Sequence, residues 1–202
     1  MRAVRSVAAR HRRTVCGVRV AISLAGLGAV LALVAGCTRA AATGPARPSP
    51  PAPRPTLPAA AAGGACQLLD YDNIARLLRV RFDVAAAGKQ GQTSTCVVRR
   101  SGETLPDLVL TVSPTTADPA VFRAEMAPKG APAVKSLGTA GYQSTAKAAR
   151  GQGPAAEVGW LSGDKRLLVL RYTLPAGAPA ARAKEAGGRL TALARTIDFT
   201  RS

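Results

Sequence analysis

The chain has 202 residues, 47% apolar yet only 3% aromatic, and carries a formal net charge of +17. That length allows one ordinary domain with extensions. All seven aromatics (Tyr71, Phe82, Phe122, Tyr142, Trp160, Tyr172 and Phe199) follow residue 70, so a packed core needs only residues 66–202, long enough to fold alone.

Residues 1–36 read as an export segment. Arg2, Arg5, Arg10, Arg12, Arg13 and Arg19 precede an uncharged run over residues 20–36, the positive and apolar regions of a secretion signal. The run is rich in Gly and Ala and shorter than the usual span of about 20 residues. Val34-Ala35-Gly36-Cys37 resembles the bacterial lipobox. The resemblance implies removal of residues 1–36 and a diacylglycerol thioether on Cys37, which would fix the chain to the extracytoplasmic face of a cell membrane through its lipid. The alternative is an uncleaved signal anchor. Arg12-Arg13 invites a twin-arginine route, but Thr14-Val15-Cys16 matches that signal poorly. Two or three acyl chains anchor where one would not, since each buried methylene contributes about 0.8 kcal/mol.

Without residues 1–36 the chain keeps 22 basic and 11 acidic side chains, a difference of +11; setting aside Arg39, Arg47 and Arg54 leaves +8 on the domain. Such a charge draws a domain towards anionic cell-wall polymers or headgroups, or reflects an arginine-rich genome. Residues 37–65, the lipidated terminus and a Pro/Ala-rich stretch, have no periodic apolar pattern and read as a disordered linker.

Cys16 leaves with the signal and Cys37 takes the lipid, so Cys66 and Cys96 remain in an oxidising compartment and read as one disulfide. Two thiolates without a histidine do not make a zinc site, and no cofactor is expected. Asp70 caps a first helix reaching about Val80, with Leu69 and Ile74 as its hydrophobic staple. Strands are expected over residues 95–100 and 107–113, the second alternating Leu108, Leu110 and Val112 with polar or outward positions. Asp118-Pro119 starts a short helix. Residues 155–174 read as a hairpin turning on Gly163-Asp164 in a type II′ turn, which sets Trp160 opposite Leu167 and Val158 opposite Val169. A last helix over residues 179–197 carries Ala183, Gly187, Leu190, Ala194 and Ile197 on one stripe, with close helix–sheet packing to offset Gly187-Gly188. The expected class is α+β, helices laid on an antiparallel sheet.

A lipobox, a low-complexity linker, Cys66-Gln67-Leu68-Leu69 opening a helix and a second cysteine 30 residues on resemble an actinobacterial lipoprotein family of unknown function. That family is similar in outline to compact α+β modules of the Mog1/PsbP-like kind. Val97-Val98 stand where its members commonly have an aromatic, and the resemblance implies no catalytic residues.

His11, the one histidine, departs with the signal, which removes Ser-His-Asp and Cys-His chemistry. Ser144 and Lys147 fit the S-x-x-K of serine-acylating enzymes, but no Ser-Asp-Asn or Lys-Thr-Gly partner accompanies them. Asp70 and Asp72 read as helix-start residues. Trp160 and Tyr172 are candidates for a ligand cleft, set against ordinary core packing. Nucleic-acid binding is not expected in an exported chain lacking a recognition motif. The reading that follows is a non-catalytic, lipid-anchored envelope module binding a partner protein or cell-wall component. The alternatives are a carrier of a lipid or other apolar ligand and, third, a serine-acylating enzyme using Ser144 and Lys147.

Overall fold

The computed structural model describes residues 56–199. The export segment, Cys37 and the linker up to residue 55 lie outside the described residues. The fold is α+β. Six strands, β1 (Val84–Gln90), β2 (Thr93–Arg99), β3 (Asp107–Pro114), β4 (Ala140–Ala146), β5 (Ala155–Leu161) and β6 (Arg166–Thr173), form one antiparallel sheet in the order β1-β2-β3-β6-β5-β4. Among the described residues three helices accompany it: α1 (Tyr71–Leu78), α2 (Pro119–Val121, continued by a π turn over Phe122–Met126) and α3 (Ala180–Phe199). No described helix is long and apolar enough to cross a membrane.

Two-residue alternation decides the layers. Cys96, Val98, Leu108, Leu110, Val158, Trp160, Leu168 and Leu170 point to one face, where α1 and α3 cover them. Ala183, Leu190, Leu193, Ala194 and Ile197 supply the facing stripe of α3, all at 1% exposure or less. Gly187 lets the helix approach: a Cβ there would stand 2.5 Å from Gln143 Nε2. Thr191 Oγ1 donates to Gln143 Oε1 at 2.8 Å and ties α3 to β4 at that contact. Gly188 faces open space, so close packing accounts for one glycine of the pair.

Helix α1 starts where its cap predicts, Asp70 Oδ1 accepting from the Asn73 N–H at 2.8 Å. It ends two residues before the sequence expectation, because Arg79 turns left-handed at φ 61°. Cys66 and Cys96 are disulfide-bonded with their Cα atoms 4.9 Å apart, which joins the turn before α1 to β2. Residues 56–65, expected as the end of the linker, belong to the folded unit: they make short 3-10 turns that bury Ala59 and Ala65 against the core. Strand β1 has no counterpart in the sequence reading.

The β5–β6 hairpin forms, but not on a type II′ turn. Lys165, rather than Gly163, takes the positive φ, 61°. The Ser162 N–H donates to Arg166 O at 2.9 Å, closing a three-residue connection, residues 163–165, instead of two. One extra residue shifts the register by one, so Trp160 faces Leu168 and Val158 faces Leu170. Trp160 and Leu168 thereby share the helix-covered face, and Leu167 turns to the other.

Gly159 occupies a place no other residue fits. A Cβ on it would lie 2.4 Å from Tyr142 Cε1. Gly159→Ala is therefore expected to cost about 1–3 kcal/mol by overpacking, read as a lower urea midpoint. Gly88→Ala, with nothing within 4 Å of its Cβ, serves as the neutral control. Equal midpoints for the two variants would show that the Tyr142 ring moves freely.

Candidate functional site

On the face away from α1 and α3, the segment between β3 and β4 builds a cleft. Asp118 Oδ1 accepts from the Ala120 N–H at 2.8 Å and the Val121 N–H at 2.9 Å, which starts α2 and leaves Pro119 where its missing N–H is harmless. Donation from Val121, then Ala120, holds the Asp118 carboxyl below its ordinary range. The helix then widens: the Ala127 N–H reaches back to Phe122 O at 2.9 Å, a π turn. Phe122 points inward, fully buried, and stacks on Tyr142 with ring centroids 5.8 Å apart.

Past the turn, the Val134 N–H donates to Gly141 O at 2.8 Å and the Gln143 N–H to Pro132 O at 3.1 Å, so residues 132–134 lie along the outer edge of β4. The loop between stands off the sheet. It bounds an open cleft of about 480 Å³ beside Ala127 and Ala131, with Arg123 and Lys129 at its rim. Phe122 and Tyr142, 0% and 5% exposed, form its buried floor in a cluster with Ala140 and Leu161. That volume lies in the range of small-ligand sites. Apolar walls next to two cations suit a group that is partly apolar and partly anionic. The lining contains no carboxylate, thiol or hydroxyl other than that of Tyr142.

Tyr142 is fixed from below. Its hydroxyl donates to Glu157 Oε1 at 2.9 Å, and Arg171 Nη1 donates to Glu157 Oε2 at 3.0 Å. The register sets Tyr142 across from Gly159 and Glu157 across from Arg171, so three strands converge here. Burial first, and the Glu157 carboxylate second, push the Tyr142 phenol well above its ordinary value. Burial also raises Tyr172 and, with help from Asp83, Tyr71.

The chain has three tyrosines, and all three are raised. In the unfolded chain they ionise near pH 10. The folded state keeps those protons longer, so stability is undiminished below about pH 10 and falls as pH rises beyond it. Phenolate absorbance is expected to lag behind a tyrosine model compound and to appear together with unfolding. A midpoint at about pH 10 in a still-folded protein would contradict this.

The residues singled out from the sequence lie elsewhere. Trp160 is completely buried and Tyr172 is 5% exposed, both in the core between sheet and helices, and neither lines this cleft. Ser144 sits within β4 opposite Glu157, and Lys147 follows the strand's end, so no helical turn brings that pair together. Among the described residues no three His, Cys, Asp or Glu side chains gather as a metal site. Nothing in the sequence spacing of Phe122, Arg123, Lys129 and Tyr142 marks them as one group.

The chain matches no protein-family model, no curated protein and no solved structure.

Proposed function

We propose that the protein is a non-catalytic, lipid-anchored module of the cell envelope, held by Cys37, that binds a partner protein or cell-wall component at the cleft beneath the π turn. The cleft itself carries this reading: two stacked aromatics with two cations beside them, and a tyrosine immobilised by a salt-bridged carboxylate. Such a floor is preorganised, so a ligand meets little ordering cost there. The carrier reading would favour a roomy space between helices and sheet. That layer instead holds Trp160, Leu168, Leu170, Leu190 and Leu193, all buried.

A photoreactive group placed at Lys129 in the full chain, expressed in its own envelope, tests the cleft. Crosslinking to one defined species, abolished by Arg123→Glu and unaffected by Lys184→Glu on the exposed side of α3, is the expected result. Equal crosslinking from position 184, or turnover of an envelope substrate that depends on one polar residue, would overturn the proposal. The mass of the same chain, starting at Cys37 with a lipid increment, tests the anchor separately.

A further inference from the structure

The antiparallel register gathers at one end of the sheet the start of β1, the end of β2, the start of β3, the end of β6, the start of β5 and the end of β4. Six strands make this end roughly 24 Å wide. The described chain also begins here: Thr56, Leu57 and Pro58 line a groove of about 420 Å³ with Asp83, Val84 and Ser101. Leu57 and Val84 are conspicuously open, 70% and 38% exposed.

Cations surround them. Val84 stands directly opposite Arg99 in the β1–β2 register. Arg79 and Arg81 lie in the connection from α1 to β1, Arg100 follows β2, Lys147 and Arg150 follow β4, and Arg182 begins α3. All of these except Arg99 are exposed. The acids at the same end are Asp83, Glu103 and Asp107, with Asp70 and Asp72 in the adjoining groove that Thr56, Pro58 and Arg81 also line. Asp83 Oδ1 accepts from the Ser101 N–H at 2.6 Å, and Glu103 is paired with Arg100 at 3.3 Å. Asp107 is half-buried. Counting Arg76, which lines a groove with Asp72, Arg79 and Arg81, eight cations face five acids around two exposed apolar side chains.

We infer that this end is a membrane-docking surface for anionic phospholipid headgroups. Leu57 and Val84 enter the interfacial region while the arginines meet the phosphates. The opposite end also exposes two apolar side chains, Val121 and Met126, at 37% and 36%. Asp118, Arg123, Glu125 and Lys129 flank those, so the entry of the chain, and not charge, sets the two ends apart. The inference rests on the proposed attachment at Cys37 in one respect only. Cys37 precedes Thr56 by 19 residues, so a tether fixed there joins the domain at this end. Docked this way, the domain turns the Phe122–Tyr142 cleft, at the far end of the sheet, outward.

The test uses the full chain held by its N-terminal segment in vesicles of phosphatidylcholine alone or mixed with phosphatidylglycerol, with hydrogen exchange as the readout. Segments 79–83 and 100–105 are expected to exchange several-fold more slowly on the anionic vesicles, and the protection is expected to vanish at high salt. Each arginine withdrawn, as in Arg81→Gln or Arg99→Gln, lowers the docking equilibrium about fivefold. Leu57→Asn weakens it without touching the charge, and its exposed site leaves folding intact. Equal exchange on both vesicles overturns the inference. So does protection confined to segments 127–131 and 162–166, or protection produced by a soluble polyanion but not by vesicles. A chain that lacks the lipid but docks in this assay would strike only the anchor, and loss of the Lys129 crosslink with docking intact would strike only the cleft.

Discussion

Replacing both Cys66 and Cys96 by alanine is expected to lower stability by about 3.5 kcal/mol, from the loop-closure entropy returned to the unfolded chain. The bridge spans 30 residues of sequence and joins two fully buried positions. Its structural effect should be local before it is global. Residues 56–68 form no strand and only short 3-10 turns, and they hold to β1, β2 and β3 through Ala59, Ala65, the partly buried Ala62 and Leu68, and the disulfide. Once the bridge is gone, two buried alanines with the partly buried Ala62 and Leu68 are too little apolar area to keep thirteen residues ordered, at about 1–2 kcal/mol of backbone entropy each. Exchange in this segment should therefore rise before α3 or β6 loosens. The urea midpoint should fall accordingly, with Tm lower by about 10 °C. A loss under about 1 kcal/mol would mean that the unfolded chain is already constrained, or that the first turns are held by something other than the bridge.

What could be read from the sequence divides along a physical line. Helix α1, strands β2 and β3, and helix α3 each carry their own signal: a cap with a staple, a two-residue alternation, a stripe at three- and four-residue spacing. Strand β1 carries none. Val84-Ala85-Ala86-Ala87-Gly88-Lys89-Gln90 has little β-propensity, and its strand character comes entirely from pairing with β2 at the sheet's edge. Residues 56–65 misled for a related reason. Alanine and proline look like linker, yet small side chains are what fit beside a disulfide against a sheet, as Ala59 and Ala65 do. The hairpin was legible as a hairpin and illegible in register, because one backbone dihedral, at Lys165 instead of Gly163, decides the pairing of every residue in both strands.

The cleft was hidden more deeply. Phe122, Lys129, Tyr142 and Glu157 are brought together by a π turn, an edge contact along β4 and the β4–β5–β6 register, three features that leave no periodic trace. The attractive local pattern, Ser144 to Lys147, needed a helical turn and lies at the end of a strand instead. The shape of a site made of long-range contacts follows from the topology, and the topology had to be known first.

Trp160 gives the sharpest test of core against cleft. It is completely buried, opposite Gly141 on β4 and Leu168 on β6, and a Cβ on Gly138 would already approach its Cδ1 to 3.1 Å. Trp160→Ala is expected to cost about 3–5 kcal/mol, the lost transfer energy plus the cavity left in a layer closed by α3. Trp160→Phe should behave differently. The indole Nε1 is buried without a hydrogen-bond partner, and an unmet buried donor costs about 1–3 kcal/mol. Removing it offsets much of the lost volume, so the phenylalanine variant should fall within about 1.5 kcal/mol of the parent. The ratio of the two effects is the informative quantity. A side chain lining a wet cleft would give small losses for both substitutions, within about 0.5 kcal/mol. A core side chain with an unsatisfied donor gives a large loss for alanine and a small one for phenylalanine, and urea unfolding of the two variants at one pH separates these outcomes directly.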